Sequence, residues 1–139
     1  MKKTILLAVI CIGLSGIAFA QTKVSVPAEV LKAFKKSYPD VSPKWENEHG
    51  KYEAGFKKDG HSMSLLYRAD GTLEETEVAI PVTTLSPKIV KYVEEHQLGK
   101  IKEAAKITKA NGEVNYEAEV KSGDALFDAN GNFLKIAKD

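Results

Sequence analysis

The stretch that decides the fold runs from residue 114 to residue 136 and reads VNYEAEV, then KSGD, then ALFDANGNFLKI. From Val114 to Val120, apolar and polar side chains alternate at every position, which is typical of a β-strand with one buried face. Later in the stretch, Asn130 and Gly131 are residue types that accept the positive φ angles of a tight hairpin turn. The stretch therefore predicts a meander of antiparallel strands.

The first half of the chain contains the same order of motifs. Tyr52-Glu53-Ala54 corresponds to Tyr116-Glu117-Ala118, and the turn at Asp70-Gly71 corresponds to the turn at Asn130-Gly131. We therefore predict two repeats, at about residues 26–82 and 85–139, each made of one helix and about four strands.

A helical segment is expected at the start of each repeat. The first is predicted over residues 27–37, with a proline tolerated in the first turn and Pro39 ending the helix. The second opens with Ser86 as a cap and Pro87 at the first helical position, and Gly99 closes it. Apolar residues at helical spacing line one side of both segments.

One helix on one short sheet is marginal in isolation, so the two repeats are expected to join. The predicted fold is α+β, a tandem repeat of one helix followed by an antiparallel meander. Both helices pack on one face of a joined, curved antiparallel sheet, and residues 21–139 form a single domain. The other face and its loops are left open to solvent or to a partner.

The first twenty residues are predicted to be a secretory signal peptide. Lys2 and Lys3 precede an apolar run, and Ala18-Phe19-Ala20 has the small-x-small pattern of a cleavage site before Gln21. The protein is accordingly expected to be periplasmic or secreted. A membrane anchor is less favoured because the run is short for a spanning helix. A lipoprotein is disfavoured because the bulky Ile10 precedes Cys11.

Composition limits the possible functions of the chain that follows the leader. Its about 119 residues suit one domain, and it has no cysteine, which excludes disulfides and thiol chemistry. Loss of the two leader lysines changes 20 basic and 19 acidic side chains to 18 and 19. This near-neutral balance gives no electrostatic reason to bind nucleic acid or an anionic membrane.

No pattern in the chain indicates a metal site or a cofactor. His49, His61 and His96 share no spacing that would bring imidazoles together. The segment 128–132 resembles the start of a calcium loop, but its glycine is fourth, where an EF-hand requires it sixth. A hairpin turn is the better interpretation, and we expect no cofactor.

Catalytic patterns are missing as well. None of the candidate serines lies in a Gly-x-Ser-x-Gly elbow; these are Ser62, Ser64, Ser86 and Ser122. The acidic run at Glu74, Glu75 and Glu77 is typical of a solvated face on an outer strand. The sequence therefore predicts a protein that is not an enzyme.

Several segments resemble the PepSY-like family of small exported proteins, which is grouped by fold with the beta-lactamase-inhibitor protein. They are GKYEAGF (50–56), LLYRADGTLEETEVAI (65–80), SPKIVKYVEEH (86–96) and LFDANGNFLKI (126–136). The resemblance extends over about residues 26–139. It implies a tandem α-β repeat with a curved sheet, a periplasmic or secreted location, and a binding or inhibitory role, and it transfers no catalytic residues.

A binding surface is expected on the sheet face opposite the helices. If the aromatic residues of the strands face the helices, this face carries Leu66 and Leu126 at equivalent places among polar side chains, as in a protein interface. A merely solvated face is the alternative, and Trp45 is either a contact or part of the core. The candidate partner-binding residues are Trp45, Leu66, Arg68, Glu117, Glu119 and Leu126.

The leading hypothesis is an exported, non-catalytic module that binds a protein or peptide, such as an envelope protease or hydrolase. The alternative is a small-molecule carrier with an apolar pocket between helices and sheet. An uncharacterised hydrolase is the third hypothesis.

Overall fold

A computed structural model describes residues 24–138 of the protein. The expected signal peptide and its cleavage site lie outside the described residues. The elements, in chain order, are α1 (Ala28–Ser37), β1 (Lys44–Glu48), β2 (Lys51–Lys58), β3 (His61–Tyr67), β4 (Leu73–Ile80), α2 (Pro87–Glu95), β5 (Ala104–Lys109), β6 (Val114–Val120), β7 (Gly123–Asp128) and β8 (Phe133–Ala137). A short 3₁₀ turn at Val82–Thr84 precedes α2.

All eight strands form one antiparallel sheet in the order β1-β2-β3-β4-β5-β6-β7-β8. In six of the seven pairs of neighbouring strands, a hairpin turn or a short loop joins the two strands. The seventh joins β4 to β5 across the inserted α2, from Glu75 opposite Lys109 to Ile80 opposite Ala104. The α+β class, with two helices and an eight-stranded antiparallel sheet, is thus confirmed.

The helix ends agree with the local sequence signals. Helix α1 begins directly after Pro27, whose carbonyl accepts the Leu31 N–H at 3.1 Å. At α2, the Ser86 side chain accepts the Ile89 N–H at 3.4 Å, which satisfies one of the free donors of the first turn.

Helix α1 packs on the first strands through an aromatic cluster. Val30 and Phe34 are fully buried against residues of β2 and β3. The ring of Phe34 meets that of Phe56 edge to face, with centroids 5.4 Å apart, a favoured aromatic geometry. We call this group the α1 cluster; its buried members are Val30, Phe34, Ala54, Phe56, Leu65 and Tyr67.

Helix α2 packs in the same way on the later strands. Ile89 and Val93 are buried against β5, β6 and β7, and Tyr92 stacks on Phe133 with centroids 4.7 Å apart. We call this group the α2 cluster; its buried members are Leu85, Ile89, Val93, Ala104, Ala118, Val120, Ala125 and Phe127.

Both helices lie on the same face of the sheet. Residues directly opposite each other in neighbouring strands point to the same side. One such row runs from Phe56 in the α1 cluster to Phe127 in the α2 cluster, through Met63, Val78, Lys106 and Tyr116. The opposite side, which no helix of the described chain covers, is called the helix-free face below.

Candidate functional site: the helix-free face

Polar side chains from the middle strands meet on the helix-free face. In the register, Glu53 of β2 lies opposite Leu66 of β3, and Ser64 of β3 lies opposite Glu77 of β4. Further along the sheet, Glu117 of β6 lies opposite Leu126 of β7. Alternation along each strand therefore brings glutamates from distant parts of the chain to one surface.

A hollow of about 190 Å³ opens in this surface. Its size depends on small residues, because Gly55, Ala79 and Ala105 stand where larger side chains would fill the space. Lys57 is the single cationic residue in its lining. We call it the glutamate hollow, after the five glutamates that line it: Glu53, Glu77, Glu103, Glu117 and Glu119.

Glu53 is a strongly perturbed acid in the hollow. It is only 5% exposed, and the hydroxyl of Ser64 donates a hydrogen bond to its Oε1. Burial raises the pKa of Glu53 to about 8; the Ser64 hydrogen bond opposes this, and the negative charges of Glu48 and Glu77 add to it. Glu53 is therefore largely protonated at neutral pH.

Glu77 has a similar environment on β4. Burial raises its pKa to about 7, with added repulsion from Asp124, Glu75 and Glu48. Within residues 24–138, Lys102 forms a salt bridge with Glu119 at 3.2 Å, but no salt bridge reaches Glu53 or Glu77. These two carboxyls thus lack a cationic partner in the described chain.

A second hollow, of about 100 Å³, lies beside the first on the same face. It is lined by apolar Ile107 and Leu126, and by the polar residue Asn115. Asn115 is 5% exposed, and its Oδ1 accepts no hydrogen bond within the described chain. We call it the asparagine hollow; Glu75, Lys109, Leu134 and Lys135 complete its lining.

The structure separates the six residues that the sequence singled out. Leu66, Glu117, Glu119 and Leu126 lie on the helix-free face, but Leu126 is only 4% exposed and Glu117 only 2% exposed. A side chain buried to this degree offers little area to a flat partner surface. Of the two leucines, Leu66 alone is partly accessible.

Arg68 and Trp45 are placed elsewhere. Arg68 follows β3, and its Nε lies 2.5 Å from Oε1 of Glu74. Trp45 of β1 is half-buried in the α1 cluster, where its ring meets Phe34 edge to face with centroids 5.5 Å apart. Of the two interpretations left open for this tryptophan, its position corresponds to the core.

One expectation about the acidic run is wrong. The strand that carries Glu74, Glu75 and Glu77 is not a solvated outer strand, because β4 is in the middle of the sheet, between β3 and β5. Glu77 is partly buried in the glutamate hollow as a result. The sequence does contain a signal for the acidic site. The two Tyr-Glu-Ala motifs predict that Glu53 and Glu117 lie on the same face of the sheet.

The described residues show neither a metal centre nor a membrane span. Among residues 24–138, no three histidine, cysteine, aspartate or glutamate side chains are grouped to hold a metal ion. In the same part of the chain, no helix is both long and apolar enough to cross a membrane.

Both hollows lie on the helix-free face, whereas the α1 and α2 clusters fill the space under the helices.

Solved structures with the same fold come from Bacteroides species. A "BLIP-like protein" of Bacteroides fragilis has a TM-score of 0.64 and 19% identity, and the match covers 85% of this chain and 92% of that chain. A DUF2874 family protein of Bacteroides ovatus has a TM-score of 0.67 and 17% identity over 81% and 86%. A protein of Bacteroides eggerthii described as "putative periplasmic" has a TM-score of 0.70 and 16% identity over 81% and 88%.

Sequence comparison gives the family directly. No curated protein matches the chain significantly. The family model described as "Putative beta-lactamase-inhibitor-like, PepSY-like" matches twice, at residues 18–75 and 50–135. Together these matches extend over most of the described residues, and the chain belongs to the PepSY-like family.

Proposed function

We propose that this protein is an exported, non-catalytic module that binds a protein or peptide through its helix-free face. The observation that carries the proposal is the asymmetry of the sheet. Helices cover one face, while the other presents two neighbouring hollows with polar and apolar linings. An uncovered face of this kind is a common place for a partner to bind.

The chemistry of the hollow supports binding over hydrolysis. Ser64 is hydrogen-bonded to an acid, but that acid, Glu53, is largely protonated at neutral pH. A protonated carboxyl cannot accept the proton of a nucleophile. The inhibitor-like family description and the BLIP-like neighbour also favour an inhibitory or binding role.

Export is part of the proposal. It is supported by the leader pattern of residues 1–20, with cleavage near Ala20 and Gln21, and by the periplasmic description of the Bacteroides eggerthii protein of the same fold. The partner is then an envelope or extracellular protein or peptide, such as a protease, another hydrolase or a beta-lactamase.

A further part of the proposal is that two α-β repeats, at about residues 26–82 and 85–139, built this single domain. Two features support it: the family model matches the chain twice, and the hairpin turns at Gly71 and Gly131 approach equivalent places, Glu29 at the start of α1 and Ser86 at the start of α2. A duplicated unit would give the helix-free face equivalent positions from both halves.

Affinity capture tests the proposed function. The protein, purified as it is exported, is immobilised and exposed to envelope extract of the source organism, and bound proteins are identified by mass spectrometry. Leu66→Asp introduces a charge on the helix-free face, and Leu31→Asp introduces the same charge on the exposed side of α1. We expect a partner that is lost with Leu66→Asp and kept with Leu31→Asp. A protein that binds all three forms equally, or no bound protein at all, would contradict the proposal.

A further inference from the structure

The glutamate hollow has a strongly acidic lining. Its lining contains five glutamates and one lysine, and Lys102 forms a salt bridge with Glu119. The carboxyls of Glu53 and Glu77 have no cation within the described chain. Burial keeps such carboxyls protonated unless a positive partner is present, so a cation supplied from outside would stabilise their ionised forms.

Charged groups on every adjoining strand contribute to this balance. The acids around Glu53 and Glu77 are Glu46 and Glu48 of β1, Glu75 of β4, Glu117 and Glu119 of β6, Asp124 of β7, and Glu103 before β5. The nearby cations are Lys57 and Lys51 of β2, Lys109 of β5, Lys135 of β8, and His49 when protonated. Lys51 forms a salt bridge with Glu74 and Lys109 with Glu113, so both are already engaged.

A second, independent feature on the same face requires a hydrogen-bond donor. Asn115 lies in the same cross-strand row as Glu77, with Ile107 between them. Asn115 lines the asparagine hollow, and its buried Oδ1 accepts no hydrogen bond within residues 24–138. A buried acceptor without a donor is destabilising, because its lost hydrogen bond to water is not replaced. Glu53 and Glu77 thus lack a cation and Asn115 Oδ1 lacks a donor, and the N–H groups of a cationic side chain and its backbone can supply both.

The dimensions limit what the occupant can be. A pocket for a drug-sized ligand measures about 300–1,000 Å³, whereas the glutamate hollow measures about 190 Å³. This space suits one side chain that projects from a larger molecule. Arginine carries five N–H donors in a planar fork and lysine carries three, and both provide the missing positive charge.

We propose that the glutamate hollow receives an arginine or lysine side chain from a basic loop of a protein partner, with further N–H groups of that loop reaching Asn115. This inference rests on the proposed function and specifies its partner. Entry of the cation favours the ionised forms of Glu53 and Glu77, so docking releases protons at neutral pH. Binding is consequently stronger at pH 9 than at pH 6.

The test uses defined probes. The purified protein is titrated with acetyl-tetra-arginine amide and with acetyl-tetra-citrulline amide, which has nearly the same shape without the charge. Amide chemical shifts locate the binding site. The double variant Glu53→Gln/Glu77→Gln is compared with Glu29→Gln/Glu94→Gln, which removes the same charge from exposed positions on the helices.

We expect tetra-arginine to shift amides of β2, β3, β4 and β6, with affinity at least tenfold weaker for tetra-citrulline and for the hollow variant. The helix variant should change the affinity less than twofold. Shifts spread equally over the helices, or unchanged affinity in the hollow variant, would overturn the inference. Circular dichroism confirms that both variants are folded.

The inference and the proposed function fail in different ways. If an envelope partner is lost with Leu66→Asp but binds Glu53→Gln/Glu77→Gln as tightly as the unaltered protein, the face is a docking surface and the cationic occupant is wrong. If tetra-arginine binds the hollow but Leu66→Asp never affects a partner, the proposed function is wrong.

Discussion

Ser64 donates its hydroxyl to the carboxyl group of Glu53 although the two residues are not opposite each other in the sheet. Glu53 pairs with Leu66, and Ser64 pairs with Gly55, so the hydrogen bond runs diagonally between β2 and β3. Gly55 has no side chain to block this diagonal. The arrangement gives a buried acid one good donor, which is too little to keep the acid ionised at neutral pH.

The first prediction concerns the pH dependence of stability. The pKa of Glu53 is about 8 in the folded protein, against an ordinary value of 4.5. Between these values the folded state binds more protons than the unfolded state, so the free energy of unfolding falls as the pH rises. At 1.36 kcal/mol per pH unit, the loss attributable to Glu53 is at most about 5 kcal/mol, and it is complete above pH 8.

Urea unfolding at pH 5, 7 and 9 measures this effect. Glu53→Gln should be more stable than the unaltered protein at pH 9 and should show a smaller decrease in stability from pH 5 to pH 9. Glu94→Gln, on the exposed side of α2, should follow the unaltered protein. Equal pH dependence in all three proteins would show that Glu53 ionises normally.

The second prediction separates the two leucines of the helix-free face. Leu126 is 4% exposed, so Leu126→Ala should lower the free energy of unfolding by about 2–4 kcal/mol. Leu66 is partly exposed, and Leu66→Ala should cost about 1 kcal/mol. Denaturant unfolding at fixed pH measures both. Similar small losses for the two variants would mean that Leu126 does not contribute to the core.

The third prediction concerns the turn between β3 and β4. Gly71 has a φ of +84°, and a Cβ placed there would lie 2.7 Å from the backbone oxygen of Glu29 in α1. Gly71→Ala should therefore destabilise the protein by about 3 kcal/mol, through both backbone strain and the clash. Gly60→Ala is the matched control, because Gly60 has a φ of +83° but no atom within 4 Å of the added Cβ.

Gly60→Ala should cost only about 1 kcal/mol, the backbone part alone. The melting temperature and urea midpoint of the two variants give the comparison. If both variants lose the same stability, the close contact between the hairpin turn and α1 does not add to the cost of a side chain at position 71.

Much of this fold was predictable from local patterns. The local signals are strand alternation, helical spacing, and Pro, Ser and Gly at the ends of elements. They predict α1 over residues 27–37, where the structure has Ala28–Ser37, and they predict the turn at Asn130-Gly131. Such signals depend on neighbours within a few residues. They describe each element and its buried face without reference to the rest of the chain.

The candidate site was harder to predict because it depends on which strands become neighbours. Alternation places Glu53 and Glu117 on the helix-free face, but only the pairing of β4 with β5 across α2 joins the two halves of the sheet that carry them. The same pairing moves Glu77 from an expected edge to the middle of the sheet. Leu126 is expected from the sequence to be accessible, but it is buried. The alternation of a strand predicts which face a side chain is on and does not predict how deeply it is buried.

The last prediction uses Trp45, the single tryptophan of the chain. It packs on Phe34 edge to face, and its ring also lies 6.3 Å from that of Tyr67. Trp45→Ala should therefore lower the free energy of unfolding by about 2 kcal/mol, as measured by circular dichroism in urea. Trp45→Phe keeps an aromatic ring in the α1 cluster and should lose less than half as much. Because Trp45 faces the helix side, Trp45→Phe should also capture an envelope partner as well as the unaltered protein does. A variant that keeps its stability but loses the partner would identify Trp45 as a contact residue and would move the binding surface toward β1.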